Sequence, residues 1–202
     1  MLDFGFYNMD CMDGMKEFPD NYFELAIVDP PYREKNDPMQ GMRANGSMKQ
    51  FGNVPNETSF KELFRVSNNQ SIWGANNFRL PSHKGFLIWE KDIPEGMRFS
   101  QAEYAYISEE LTTLSKVFHL RVTGAEKRIH PTQKPVALYK WLLTNYAKPG
   151  DKILDTHVGS ASSLIACEDL GFNYVGFELD EYYFKLAKER ITDFNAQIRM
   201  NI

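Results

Sequence analysis

Two cysteines, Cys11 and Cys167, are all that the 202 residues contain, too few for a disulfide framework. No apolar run approaches the roughly 20 residues that would span a bilayer. The opening Met-Leu-Asp-Phe-Gly lacks both the basic region and the apolar stretch of a secretion signal, so a reducing cytoplasm is the expected compartment. Internal repeats, Gly/Ser linkers and blocks of like charge are missing too. Nor is there an excess of positive charge: Lys+Arg 23 stand against Asp+Glu 27, a net -4 that weighs weakly against a polyanionic partner. What is present is apolar and aromatic. A hydrophobic content of 43%, with 15 Phe, 10 Tyr and 3 Trp, excludes a disordered chain and suffices for the core of one soluble, globular domain.

Charge is unevenly spread. Acids crowd the first 32 residues, whereas Lys116, Arg121, Lys127, Arg128, Lys134 and Lys140 face one acid, Glu126, so a basic patch is available locally. Apolar, β-rich runs at Leu25 to Val28, Ser71 to Trp73, Phe86 to Trp89 and Tyr104 to Ile107 predict buried strands, and two more follow at Lys152 to Leu154 and Tyr174 to Phe177. Ser162 to Leu170, stopped by Gly171, predicts a helix between the last two. Another helix starts at Pro135 with Val136, Tyr139, Leu142, Leu143 and Tyr146 on one stripe. Strands alternating with helices predict an α/β fold with a mostly parallel sheet covered on both faces. The aperiodic stretch 33–55 predicts a mobile loop of functional use.

Ligands of open α/β sheets bind beyond the carboxyl ends of the strands. One such end reads Val28-Asp29-Pro30-Pro31-Tyr32. Two prolines fix φ and remove two donors, so the turn presents carbonyls, a carboxylate and a ring, which suits a planar base with an exocyclic amino group. A second end reads Leu154-Asp155-Thr156-His157-Val158-Gly159-Ser160, a strand, a glycine-bearing turn and a helix start. Glu178 ends the next strand, at a separation from which an acid reaches ribose hydroxyls. With one glycine in the turn, a pyrophosphate-binding G-x-G-x-x-G is absent, and a nucleoside without pyrophosphate fits better than NAD.

Asp29-Pro30-Pro31-Tyr32, His130-Pro131-Thr132-Gln133-Lys134-Pro135, the Asp155 to Ser160 turn and Gly176-Phe177-Glu178-Leu179-Asp180 together resemble the amino-group DNA methyltransferases that use S-adenosylmethionine. The order is the permuted one, in which the catalytic motif precedes the cofactor motifs. Trp73-Gly74-Ala75-Asn76-Asn77-Phe78, Leu87 to Lys91 and Ala102-Glu103-Tyr104 resemble intermediate segments of small phage and prophage members, some of them paired with restriction enzymes. The resemblance implies a Rossmann-like methyltransferase fold in a single domain over 1–202, with no metal and no covalent enzyme intermediate. It implies that Asp29 and Pro30 accept the amino hydrogens of the target base, that Pro31 stiffens the turn, and that Tyr32 stacks on a base flipped from the duplex. Toward the cofactor, Glu178 would take the ribose hydroxyls. Asp155 and Gly159, with His157 and Ser160 in the same turn, would hold the methionine end. Asp10, beside Cys11, would lie near the adenine, with Phe177 or Leu179 flanking that ring. His130, Thr132 and Lys134 would approach the methionine carboxylate.

One departure from the resemblance stands out. Members commonly carry Asp-Pro-Phe-x-Gly-Ser-Gly where this chain has Asp155-Thr156-His157-Val158-Gly159-Ser160-Ala161, which leaves weak cofactor affinity or an inactive relative open. Asp before Pro-Pro-Tyr points by resemblance to N6 of adenine, with N4 of cytosine as the alternative and a silent nucleic-acid binder behind it. Only 21 residues separate Ser108 from His130, so target recognition is expected from a minimal insertion near 109–129 and from the 33–55 loop. Arg33, Lys35, Arg43, Lys49, Lys127 and Arg128 would contact phosphates of double-stranded DNA. No membrane partner is expected, and a homodimer stays open.

Overall fold

In Phe23-Glu24-Leu25-Ala26-Ile27-Val28 successive side chains point to opposite faces of a strand, and both faces are apolar, so the segment needs cover on each side. A computed structural model, which describes residues 1–32, 54–97, 99–121 and 127–200, supplies that cover. The strands are β1 Gly5–Tyr7, β2 Phe23–Val28, β3 Ser67–Trp73, β4 Phe86–Glu90, β5 Ala102–Ile107, β6 Lys116–His119, β7 Lys152–Asp155 and β8 Asn173–Phe177. They form one sheet in the order β1-β8-β7-β2-β3-β5-β4-β6. Pairing is parallel throughout except at β5, which runs against both neighbours, β3 and β4.

Helices α1 (Cys11–Lys16) and α2 (Glu57–Val66) cover one face, where Met15, Phe60, Leu63 and Val66 pack with Phe23, Ala26, Val28 and Ile72. The other face lies under α3 (Val136–Tyr146) and α4 (Ser162–Leu170), where Leu138, Leu142 and Cys167 meet Leu25, Ile27, Trp73 and Ile153. A long C-terminal helix, α5 (Glu181–Met200), packs Ala187 and Ile191 on Leu164 and Ile165 of α4. Each buried Val, Leu, Ile, Phe or Met among these contributes about 1.5–3 kcal/mol relative to exposure.

The predicted strands and helices are all present, with a longer β3. Its first half, Ser67-Asn68-Asn69-Gln70, is polar, and its buried members are satisfied internally: the Gln70 amide donates to the Ser67 carbonyl at 2.8 Å and Ser108 donates to Gln70 Oε1 at 2.8 Å. Four residues of the predicted recognition insertion form β6, paired in parallel with β4 as the edge strand. Residues 33–53 and 122–126 lie outside the described residues, and with them Arg33, Lys35, Arg43, Lys49 and the 33–53 part of the predicted loop. Among the described residues, no helix is long and apolar enough to cross a membrane.

This topology collects one set of residues. The carboxyl ends of β1, β2, β3, β4, β7 and β8 share an edge, and the reversed β5 brings its amino end there too. Asn8, Asp29, Gly74, Lys91, Glu103, Asp155 and Glu178 therefore lie along one rim.

Candidate active site

The two turns expected to cooperate follow neighbouring strands, since Leu25 pairs with Ile153 and Ala26 with Leu154. The segment 129–135 ties them together. Lys134 Nζ donates to Asp29 Oδ2 at 2.5 Å, and the His130 ring lies against Gly159, where a Cβ would meet it at 3.7 Å. His130 Nδ1 accepts from the Thr132 amide at 3.4 Å, and the ring packs edge-on to Tyr183 of α5 at 4.4 Å.

Around Asp29 the charges alternate. Lys134, 2% exposed, also lies 3.0 Å from Glu103 Oε2, an ionic approach without hydrogen-bond alignment, and Lys91 pairs with Glu103 Oε1. The Lys134 ammonium lies 5.8 Å from the Trp73 ring centre. Asp29 Oδ1 is buried with no hydrogen-bond partner among the described residues. Burial pushes the Asp29 carboxyl above the usual carboxylate range against the pull of Lys134. Burial also opposes the charge on Lys134, but Asp29 and Glu103 outweigh it and hold the ammonium well above its ordinary value. For Glu103, burial is overcome by Lys134 and Lys91, which pull it below the usual range. Lys134, expected from sequence to approach a ligand carboxylate, meets two carboxylates of the protein itself, as a cation this buried requires.

The second turn is bound to itself. Asp155 Oδ1 accepts from the His157 amide at 2.9 Å and Oδ2 from the Ser163 hydroxyl, so both oxygens brace the turn. Burial, only partly offset by those bonds, pushes Asp155 up to about 7. Glu178 accepts from the amides of Gly159 at 2.9 Å and Asp180 at 2.8 Å, which fixes the end of β8 against the turn. His157 Nδ1 shares a proton with Thr156 Oγ1 at 2.8 Å. The buried Ser160 hydroxyl meets that of Ser162 at 3.1 Å, and Arg190 of α5 donates to the Ser160 carbonyl at 2.7 Å. Ala161, wholly buried, takes φ 62 and ψ 21, a left-handed conformation that favours glycine.

Between the turns lies a small, narrow cleft lined by Cys11, Met15, Val28, Pro30, Phe60, Thr156 and His157 among others. It joins the Pro-Pro corner to the second turn. Burial, aided by Asp10, pushes the Cys11 thiol up to about 12, so it stays protonated and apolar in behaviour. Exposed Asp10 caps α1, accepting from the Met12 amide at 2.8 Å. Tyr32 rests on backbone: a Cβ on Gly74, whose φ is +67, would lie 2.4 Å from the tyrosine ring, and Phe78 flanks that ring at 6.4 Å. Of the two side chains expected to flank an adenine, Phe177 is wholly buried under α1 beside Gly14, whereas Leu179 is 54% exposed. Phe177 is thus a core residue, because a ring pointing inward from β8 fills the space that Gly14 leaves. Glu103, Lys91 and Gly74 had no assigned role from sequence, although charges ending the apolar runs of β4 and opening β5 are the signal that could have singled out the first two. Among the described residues, no cluster of His, Cys, Asp and Glu could hold a metal ion.

With this geometry in place, a family model described as DNA methylase, covering N6 and N4 methyltransferases, matches residues 70–189. The chain belongs to that DNA methylase family. It is 25% identical to the type II methyltransferase M2.MboI of Moraxella bovis, over 98% of this chain and 90% of that protein. The fold is similar to the crystal structure of the M1.HpyAVI-SAM complex, with a TM-score of 0.60 and 21% identity over 92% of this chain and 98% of that one. It also resembles PvuII DNA methyltransferase, described as cytosine-N4-specific, with a TM-score of 0.64 at 13% identity over 98% and 93% of the two chains. The fold is thus the Rossmann-like α/β layout shared with these methyltransferases.

Proposed function

We propose that this DNA methylase is one domain over 1–202 that transfers a methyl group from S-adenosylmethionine to the exocyclic N6 of a flipped-out adenine in double-stranded DNA. The observation that carries the proposal is the buried, unpartnered Asp29 Oδ1 next in sequence to Pro30, which lines a cleft together with Thr156 and His157 of the second turn. An orphaned buried acceptor is costly unless a ligand donor satisfies it, and an exocyclic amino group supplies two hydrogens in one plane.

The residues present fit the cofactor. Glu178, bonded to the Gly159 amide at the end of β8, and Asp10 offer acceptors for an adenosine moiety, and Cys11, Thr156 and His157, their neighbours in the chain, line the apolar cleft together with Pro30. When bound, S-adenosylmethionine supplies an electrophilic methyl carbon on a sulfonium. Asp29 Oδ1 and the Pro30 carbonyl accept the amino hydrogens, which keeps the nitrogen lone pair out of ring conjugation. In transfer the nitrogen would displace the thioether sulfur from the methyl carbon, and the proton lost from the amino group would pass to Asp29 Oδ1, the carboxylate that accepts its hydrogen bond. Tyr32 stacks on the flipped base and returns about 1–3 kcal/mol toward an unstacking cost of a few kcal/mol. Positioning and electrostatics carry the rate. Lys127 and Arg128 remain phosphate contacts in this reading, although Arg128 also donates to the Pro131 carbonyl at 2.8 Å.

Labelled S-adenosylmethionine incubated with duplex DNA, followed by digestion to nucleosides, tests the assignment. N6-methyl-2′-deoxyadenosine is expected, N4-methyl-2′-deoxycytidine would transfer the proposal to the other amino group, and no labelled base would remove it. Asp29→Ala is expected to leave cofactor binding within about twofold while transfer falls at least 10²-fold, the scale of a lost transition-state contact.

A further inference from the structure

The chemistry of Asp29 depends on groups that never reach the base. From the alternation Lys91, Glu103, Lys134, Asp29 at the sheet edge, we infer that Glu103 is a positioning residue: backed by Lys91, it shares the Lys134 ammonium, so that once Asp29 is ionised Lys134 does not fully neutralise it and Oδ1 stays a strong acceptor for the substrate amino group. The inference rests on the proposed role of Asp29 and extends it to residues that touch neither base nor cofactor.

Four observations support it. Lys134 is 2% exposed, so its charge is balanced locally or not at all. It has two carboxylate neighbours, at 2.5 Å in Asp29 and 3.0 Å in Glu103. On Asp29 its hydrogen bond goes to Oδ2, which leaves Oδ1 open. Glu103 is itself held by Lys91, whose side chain is 15% exposed and lies 5.0 Å over the Trp89 ring. With a single carboxylate, Lys134 would spend its whole charge on Asp29, and a fully neutralised carboxylate is a poor acceptor for a weakly acidic amino hydrogen. A second carboxylate divides that charge. The remaining groups acting on Asp29 and Lys134 are Tyr32, Tyr139 of α3 and Asp155 of β7, none of them a cation.

The signs make a test. The negative charge of Glu103 hinders ionisation of Asp29 and the positive charge of Lys91 assists it. In Glu103→Gln the acid limb of kcat moves to lower pH while its plateau falls about tenfold or more, as for loss of a charge-assisted contact, with the cofactor KM within about twofold. In Lys91→Gln the acid limb moves to higher pH. A merely structural role would lower kcat in both variants and move neither midpoint. The same opposite displacements are expected without turnover, in the titration of the Asp29 carboxyl carbon followed by NMR in the cofactor-free protein. Midpoints that stay fixed, or that move in one direction in both variants, would overturn the inference. Wild-type protein that transfers no methyl would instead overturn the reading of Asp29 as catalytic, and the NMR titration would still decide whether Glu103 and Lys91 govern it.

Discussion

Substituting Gly74 by alanine probes how the fold makes the floor of the proposed base pocket. Gly74 ends β3 and opens the turn Ala75–Asn77 at φ 67 and ψ 23, with its amide bonded to the Tyr104 carbonyl at 2.9 Å. Alanine in this left-handed region costs about 1–2 kcal/mol, of which about 0.4–1 kcal/mol is recovered because alanine restricts the unfolded chain. The added Cβ would also lie 2.4 Å from Tyr32 Cε1 and 2.5 Å from Cδ1. Carbon contacts relax at about 3.5 Å or beyond, so the ring must retreat by about 1 Å. A stability loss of about 1–2 kcal/mol is expected from chemical denaturation with an unchanged m value. Because a 1 Å misplacement at a reacting centre costs up to about 10²-fold, kcat should fall by about 10- to 100-fold while cofactor affinity holds. A Gly74→Ala protein with lowered stability and wild-type kcat would refute contact between Tyr32 and the base. One with unchanged stability would refute the backbone argument itself.

Two further substitutions address the second turn. Ala161→Gly places glycine where the structure already has φ 62; relief of about 1–2 kcal/mol of strain is offset by about 0.8 kcal/mol for the lost buried methyl and about 0.4–1 kcal/mol for the freer unfolded chain, so unfolding free energy should stay within about 1 kcal/mol of wild type; a loss beyond about 1.5 kcal/mol in chemical denaturation would show that the conformation is unstrained. Asp155→Asn tests burial of the acid in that turn. An acid raised from 3.8 to about 7 in the folded state favours folding fully below its unfolded value and loses that contribution as pH rises through about 7, roughly 4 kcal/mol in all. The stability of wild type relative to the Asn variant should therefore decline between about pH 4 and pH 8. A flat difference across that range would mean that Asp155 titrates as an ordinary surface carboxylate.

Legibility of the fold followed apolar periodicity. β2 and the Pro-Pro corner stood out because an apolar run stops at Asp29, and α4 because its stripe is closed by Gly171, which takes φ 75 as the C-cap. β1 and β6 are three and four residues long at the sheet edges and carry no such pattern. The first half of β3 was hidden because Ser67, Gln70 and Ser108 are polar yet buried, satisfied by one another rather than by water. Within the site, the residue types of the Asp29 corner and the Asp155 turn were readable, but their bonds were not. Whether Asp155 faces a ligand or its own turn depends on Ser163, a residue that looks in sequence like any other in the first turn of a helix.

Glu103 shows why the charge array escaped a reading of the chain. Lys134 and Asp29 are 105 positions apart, and no local rule pairs residues so distant. Strand direction decides the rest. In an all-parallel sheet, a residue that opens a strand lies at the edge opposite the ligand, and Glu103 would face solvent beyond the amino ends. β5 instead runs against β3 and β4, with Trp89 opposite Glu103 and Trp73 opposite Ala105. That reversal carries the amino end of β5 to the rim where β2 and β4 finish, beside Asp29 and Lys91. A single antiparallel strand thus converts a carboxylate that composition would place at the surface into the second partner of a buried lysine.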